Sequence, residues 1–174
     1  MPTADHAFML GGTTDSKGAG KIDAWLVKAD SEGKVLWDKT FGGAEDDVAS
    51  DMIKAQDAGY ILAGYTQSKG EGNKDCWLLK VDDSGKMLWE KTYGTPTSDA
   101  ANQVVATADG GYLMVGTHHE SERKKENGVI RLDFKHFVWV LKTDAEGNEL
   151  WRKSMDSDDM VSINELIVTK DGGF

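Results

Sequence analysis

One short phrase occurs three times at a fixed interval. Phe8-Met9-Leu10-Gly11-Gly12-Thr13, Tyr60-Ile61-Leu62-Ala63-Gly64-Tyr65 and Tyr112-Leu113-Met114-Val115-Gly116-Thr117 begin 52 residues apart, and Phe174 opens a fourth copy 62 residues after the third. All six tryptophans obey the same rule. They form the pairs Trp25 and Trp37, Trp77 and Trp89, Trp139 and Trp151, each twelve residues apart. A period of about fifty residues means stacked supersecondary units, none of which buries its apolar face alone.

Within each unit the signals are those of strands. Trp25-Leu26-Val27-Lys28, Trp77-Leu78-Leu79-Lys80 and Val138-Trp139-Val140-Leu141-Lys142 are short and rich in β formers. Each runs into Asp-x-x-Gly, a turn in which the Asp bonds the backbone and the Gly takes positive φ. Returning strands are expected at Val35 to Phe41, Met87 to Tyr93 and Glu149 to Met155. Further strands are expected at 49–55, 103–107 and 163–169, followed by the turns Asp57-Ala58-Gly59, Asp109-Gly110-Gly111 and Asp171-Gly172-Gly173. No helical periodicity competes.

Four short antiparallel strands per unit, with a recurring aromatic, are the signature of a β-propeller blade. The expected fold is therefore all-β, with about three blades split by one strand across the termini. It divides into a partial blade at 3–47, a blade at 48–99, a third at 100–160 interrupted near 118–136, and a last strand at 161–174. Gly12, Gly64 and Gly116 sit inside strands, where a missing side chain admits a neighbouring sheet or a Trp ring. The six tryptophans are expected to pack between blades, each N–H finding a carbonyl.

Three blades are too few to close a ring and leave edges open. Either the chain is a piece of a longer repeat protein, or two copies join head to tail as a six-bladed homodimer. The net charge of -10 argues against nucleic acid or an anionic membrane as the main partner. Cys76 is the sole cysteine, so no intramolecular disulfide forms, and its strand setting suits a small buried hydrophobe. Residues 1–12 lack the pattern of a signal peptide, and no run reaches the length of a membrane span.

The recurrent Asp-x-x-Gly-x-x-Leu-Trp, at Asp30 to Trp37, Asp82 to Trp89 and Asp144 to Trp151, resembles the tryptophan-docking repeat of quinoprotein-like propellers. It is one residue shorter between Asp and Gly. The fuller unit, from Asp75-Cys76-Trp77 through Lys91-Thr92-Tyr93-Gly94 to Asp109-Gly110-Gly111-Tyr112, is similar to repeats of secreted or surface propellers of bacteria and archaea, mostly uncharacterised. The resemblance implies a propeller in an extracytoplasmic protein. Quinoprotein enzymes would also need a catalytic Asp, a calcium site near the quinone and usually a vicinal cysteine pair, which a single cysteine cannot supply. The expectation is a non-catalytic scaffold with a protein or glycan ligand. The alternatives are a fragment of a quinoprotein-like enzyme and a structural spacer.

Candidate ligand groups are few. Glu45-Asp46-Asp47 and Asp156-Ser157-Asp158-Asp159 occupy equivalent loops, in which the middle unit has only Asp99. A weak surface calcium site at Asp46 and Asp47, or at Asp158 and Asp159, competes there with plain solvated charge. The Gly-rich loops at 15–23 and 67–75 offer too few carboxylates for calcium and read as connectors. The insertion from His118 to His136 breaks the repeat and holds three of the four histidines. A hairpin about Asn127-Gly128 would bring His118, His119 and His136 together, and with Glu120 they would make a zinc set. Adjacent histidines on a strand face opposite ways, which opposes that set. Partner contact and simple hairpin extension are the other readings of the insertion.

Overall fold

A computed structural model describes residues 1–126, 129–157, 166, 167 and 169. All regular structure among them is β. The strands are β1 (Phe8–Thr14), β2 (Asp23–Ala29), β3 (Val35–Phe41), β4 (Asp47–Lys54), β5 (Tyr60–Thr66), β6 (Asp75–Val81), β7 (Met87–Tyr93), β8 (Ser98–Ala106), β9 (Tyr112–Glu126), β10 (Val129–Thr143) and β11 (Glu149–Ser157). They form three antiparallel sheets in sequence order: β1-β2-β3, β4-β5-β6-β7 and β8-β9-β10-β11. The expected strand at 163–169 lies outside the described residues except for Leu166, Ile167 and Thr169. The turn at Asp171 and the closing Phe174 also lie outside them.

β3 and β7 have the expected bounds. β4 and β8 begin earlier than apolar content alone predicts, at Asp47 and Ser98. Their starts are pinned to the preceding loop: the Asp47 N–H donates to the Ile22 carbonyl and the Asp99 N–H to the Lys74 carbonyl. Polar residues thus enter the strands because a backbone partner awaits them. Both strands then bulge, between Ala49 and Asp51 and between Ala101 and Gln103.

The hairpin turns repeat atom for atom. Oδ1 of Asp30, Asp82 and Asp144 accepts the N–H of Glu32 and Lys34, of Ser84 and Lys86, and of Glu146 and Asn148. Gly85 and Gly147 have φ of 77° and 78°. They also sit against the preceding sheet: a Cβ on Gly85 would come within 2.7 Å of Trp37, and one on Gly147 within 2.9 Å of Trp89. Both the backbone and the neighbour therefore require glycine. Three ion pairs recur in the same way, Lys28 with Asp5, Lys80 with Asp57 and Lys142 with Asp109.

The sheets stack face to face. Met9, Ala24 and Leu26 of the first pack with Tyr60, Leu62, Trp77 and Leu79 of the second, flanked by Trp37, Phe41 and Met52. The second sheet's other face, with Ile61, Cys76, Leu78 and Tyr93, packs on Val104, Tyr112, Met114, Trp139 and Leu141 of the third. Burying one such side chain contributes about 1.5–3 kcal/mol, so these two layers dominate the stability. The third sheet's far face gathers Leu113, Val115, Val138 and Val140, with Leu166 packed on them. Cys76 is fully buried and its thiol pKa is pushed well up by desolvation, as befits a small core hydrophobe.

The tryptophans divide. Trp77 and Trp139 are fully buried, whereas Trp25, Trp37, Trp89 and Trp151 are half-buried. Trp139 donates to a carbonyl, that of Thr117. Trp25 and Trp77 donate to the carboxylates of Asp38 and Glu90, each also held by a lysine, Lys17 or Lys69. The glycines divide as well. A Cβ on Gly64 or Gly116 would overlap the carbonyl of Val48 or Ala100 at the bulges, while Gly12 has open space within 4 Å. The close approach comes from a fourth strand in the same sheet, which β1 lacks.

Candidate functional site

The second and third sheets each begin with a buried carboxylate. Asp47 is 0% exposed and Asp99 2%. A buried carboxylate is tolerated only when it is saturated with donors. Around Asp47 these are the hydroxyl of Thr66, the hydroxyl and N–H of Ser68 and the N–H of Gly43. Asp47 is thus a structural group fully engaged by its neighbours. Asp46 beside it is half-buried, its carbonyl accepting the Gln67 N–H. Asp158 and Asp159 lie outside the described residues.

At the corresponding positions of the third sheet, Thr66 is replaced by His118 and Ser68 by Glu120. Thr95 supplies its N–H and hydroxyl to Asp99 Oδ2, at 2.7 and 2.9 Å. His118 turns Nδ1 to Asp99 Oδ1 at 3.0 Å, and its Nε2 lies 3.2 Å from Glu120 Oε1. His118 is 7% exposed and its ring lies against Phe137, with centroids 5.6 Å apart and planes tilted by 32°. A hydroxyl cluster has become a line of carboxylate, imidazole and carboxylate. Since the two carboxylates address opposite ring nitrogens, the three do not converge on one ion.

This line forms the floor of a cleft of about 180 Å³, walled by Phe137, Trp139, Arg152 and Ser154. Arg152 lies over the Trp139 ring, 5.9 Å from its centroid, and donates to Glu149. The cleft therefore offers an acidic group, an imidazole, a cation and two aromatic faces within a small volume.

His119 and His136 stand apart from it. They are directly opposed across β9 and β10, with rings edge to face and centroids 4.7 Å apart. Burial, and then the neighbouring His136 and His118, lower the pKa of His119. The strand alternation thus splits the expected zinc set, His118 and Glu120 on one face and His119 and His136 on the other. Among the described residues no group of three or more His, Cys, Asp or Glu side chains is arranged to hold a metal. The insertion itself is a ribbon: β9 and β10 stay paired from Tyr112 with Thr143 out to Glu126 with Val129. The Asn127-Gly128 tip lies outside the described residues.

Residue-type reasoning read the loops ending at Asp23 and Asp75 as connectors but missed the parts that these two carboxylates and Asp99 play. Asp23 accepts the N–H of Ala19 and Gly20, and Asp75 that of Gly72, so each organises a Gly-rich connector. The signal was the column rather than the residue. Asp23 and Asp75 share one repeat position, and Asp47 and Asp99 share another. A scan against protein-family models finds no match to this chain, and a search of curated proteins finds none either.

Proposed function

We propose that the chain is a non-catalytic propeller-type scaffold, its three sheets being successive blades, that binds a protein or glycan partner through the third sheet. One observation carries the reading: the third unit keeps the repeat's framework but replaces the hydroxyls of Thr66 and Ser68 with His118 and Glu120 beside a cleft. A cleft of about 180 Å³ is smaller than the roughly 300–1,000 Å³ of pockets for drug-sized ligands. It accepts one protruding group, a sugar ring or a peptide side chain, and not a whole organic cofactor. Aromatic faces beside paired polar groups suit either. The ribbon of β9 and β10 extends the same sheet and enlarges the contact surface. On its resemblance to secreted and surface repeats, the protein works outside the cytoplasm.

The test is to probe glycan and peptide arrays with the native protein and with the double variant His118→Thr, Glu120→Ser, which restores the hydroxyls of the second sheet. Selective binding by the native protein, lost in the variant at unchanged melting temperature, supports the reading. Binding that is equal in both, or absent in both, overturns it.

A further inference from the structure

In the first two sheets an ion pair closes over the first tryptophan of each pair. Trp25 and Trp77 donate to Asp38 and Glu90, at 2.8 and 3.1 Å. Lys17 and Lys69 bond those carboxylates and lie over the two rings, 5.6 and 5.8 Å from their centroids. The third unit changes both members of the pair. Ser121 stands at the repeat position of Lys17 and Lys69, and Arg152 at that of Asp38 and Glu90. A cation thus replaces the recurrent carboxylate, and it lies over the Trp139 ring, 5.9 Å from the centroid. The Trp139 N–H turns to the Thr117 carbonyl instead. The acid of the third unit moves to the opposite wall, where Glu120 stands in place of Ser68.

The cleft therefore carries charges of both signs, one at each side, since Glu120 and Arg152 both line it. Among the described residues the two are engaged elsewhere: Glu120 lies against Nε2 of His118, and Nη2 of Arg152 donates to Glu149. A guanidinium has five donors in a planar fork. The Arg152 side chain is 24% exposed, so it is partly shielded from water but still reachable. Such a group favours a planar anion, above all a carboxylate, which two parallel N–H bonds can hold. Glu120 and His118 suit hydroxyl groups, which donate to the one and exchange a hydrogen bond with the other. Phe137 and Trp139 supply apolar faces for a ring.

We propose that the ligand of this cleft is an acidic sugar, a hexuronic acid unit of a glycan, with its carboxylate on Arg152 and its ring hydroxyls on Glu120 and His118. Such a ligand presupposes that the third sheet is the binding surface. A single small group has to meet a cation and an anion within about 180 Å³. A neutral sugar leaves Arg152 without an anion. An Asp or Glu side chain of a peptide brings a carboxylate but no hydroxyl for Glu120, and a lysine side chain meets Glu120 against the repulsion of Arg152. A hexuronic acid carries both kinds of group on one preorganised ring. Asp99 does not oppose it, being 2% exposed and engaged by Thr95 and His118. The net charge of -10 disfavours acidic glycans over the surface at large, so recognition falls to this one guanidinium and not to a basic patch.

Titration calorimetry tests it with three probes: a galacturonic acid trisaccharide, the methyl ester of that trisaccharide, and a peptide of three glutamates. The trisaccharide should bind. Its ester keeps the ring hydroxyls but loses the charge, and should bind about tenfold more weakly or worse, the loss of one charge-assisted contact. The glutamate peptide should not bind. Arg152→Glu, which restores the residue of the second sheet, should abolish binding of the trisaccharide at unchanged melting temperature. Arg152→Lys keeps the charge without the planar fork, and should weaken binding without abolishing it. An ester that binds as well as the acid, a preference for the glutamate peptide, binding indifferent to Arg152→Glu, or no binding of the trisaccharide would overturn the inference. The binding reading is judged separately: a neutral glycan or a peptide that binds the native protein on the arrays and is lost in His118→Thr, Glu120→Ser leaves that reading standing without the acidic sugar.

Discussion

At Asp47 a single carboxylate ties the start of one strand to the end of the next through Thr66, Ser68 and Gly43. Asp47→Ala strands those donors in the interior, and urea unfolding should show a loss of about 2–4 kcal/mol. His118→Thr should cost far less, because Thr95 remains to serve Asp99. Acid sensitivity sits at a second recurrent residue. The Lys28 ammonium holds Asp5 down at about 2, and the Lys80 ammonium likewise lowers Asp57. Asp109 is lowered by the Thr107 hydroxyl and then by Lys142. A carboxylate whose folded pKa is depressed stabilises the fold above its unfolded value, near 3.9, and that gain fades as pH falls through the folded value. Stability should therefore decline between about pH 4 and pH 2. Lys80→Met should flatten part of that slope, as read by urea titrations at successive pH values. The recurrence of Asp47 and Asp99 at one repeat position was visible in the sequence. Their burial was not, because an isolated Asp in a polar loop reads as solvated until its partner strand is known.

Among the elements, the hairpin turns were the most legible, since Asp at the first position and Gly at the fourth dictate both the bonds and the φ. Strand starts were less so: the bounds of β4 and β8 depend on the carbonyls of Ile22 and Lys74, which lie 25 residues back and no local pattern announces. The ribbon of β9 and β10 was legible as a departure from the repeat, but its side-chain partners were not. Among the described residues, beyond His119 and His136 it has neither β8 nor β11 beside it. Two strands alone are marginal in water. Replacing residues 121–134 with a two-residue Asn-Gly turn should thus lower the unfolding free energy by less than about 1 kcal/mol, as read by urea denaturation. A larger loss would mean that the ribbon braces the sheet.

For the molecule as a whole, the repeat predicted the order of strands within each sheet, because a fixed period forces each unit to bury the same face. It did not predict that the tryptophans differ in burial: Trp77 and Trp139 have a sheet in front of them, and Trp25 does not. The stack is consequently as strong as its two layers, and one of them contains its own reporter. Cys76 lies between the second and third sheets, 4.0 Å from the Met114 sulfur and shielded from water. A disulfide reagent reaches that sulfur only when the layer parts. Its labelling rate should be far below that of an unfolded-state thiol and should rise in proportion to reagent concentration when closing outpaces reaction. The ratio of the two rates then measures how often the stack opens, sheet from sheet, with no residue changed.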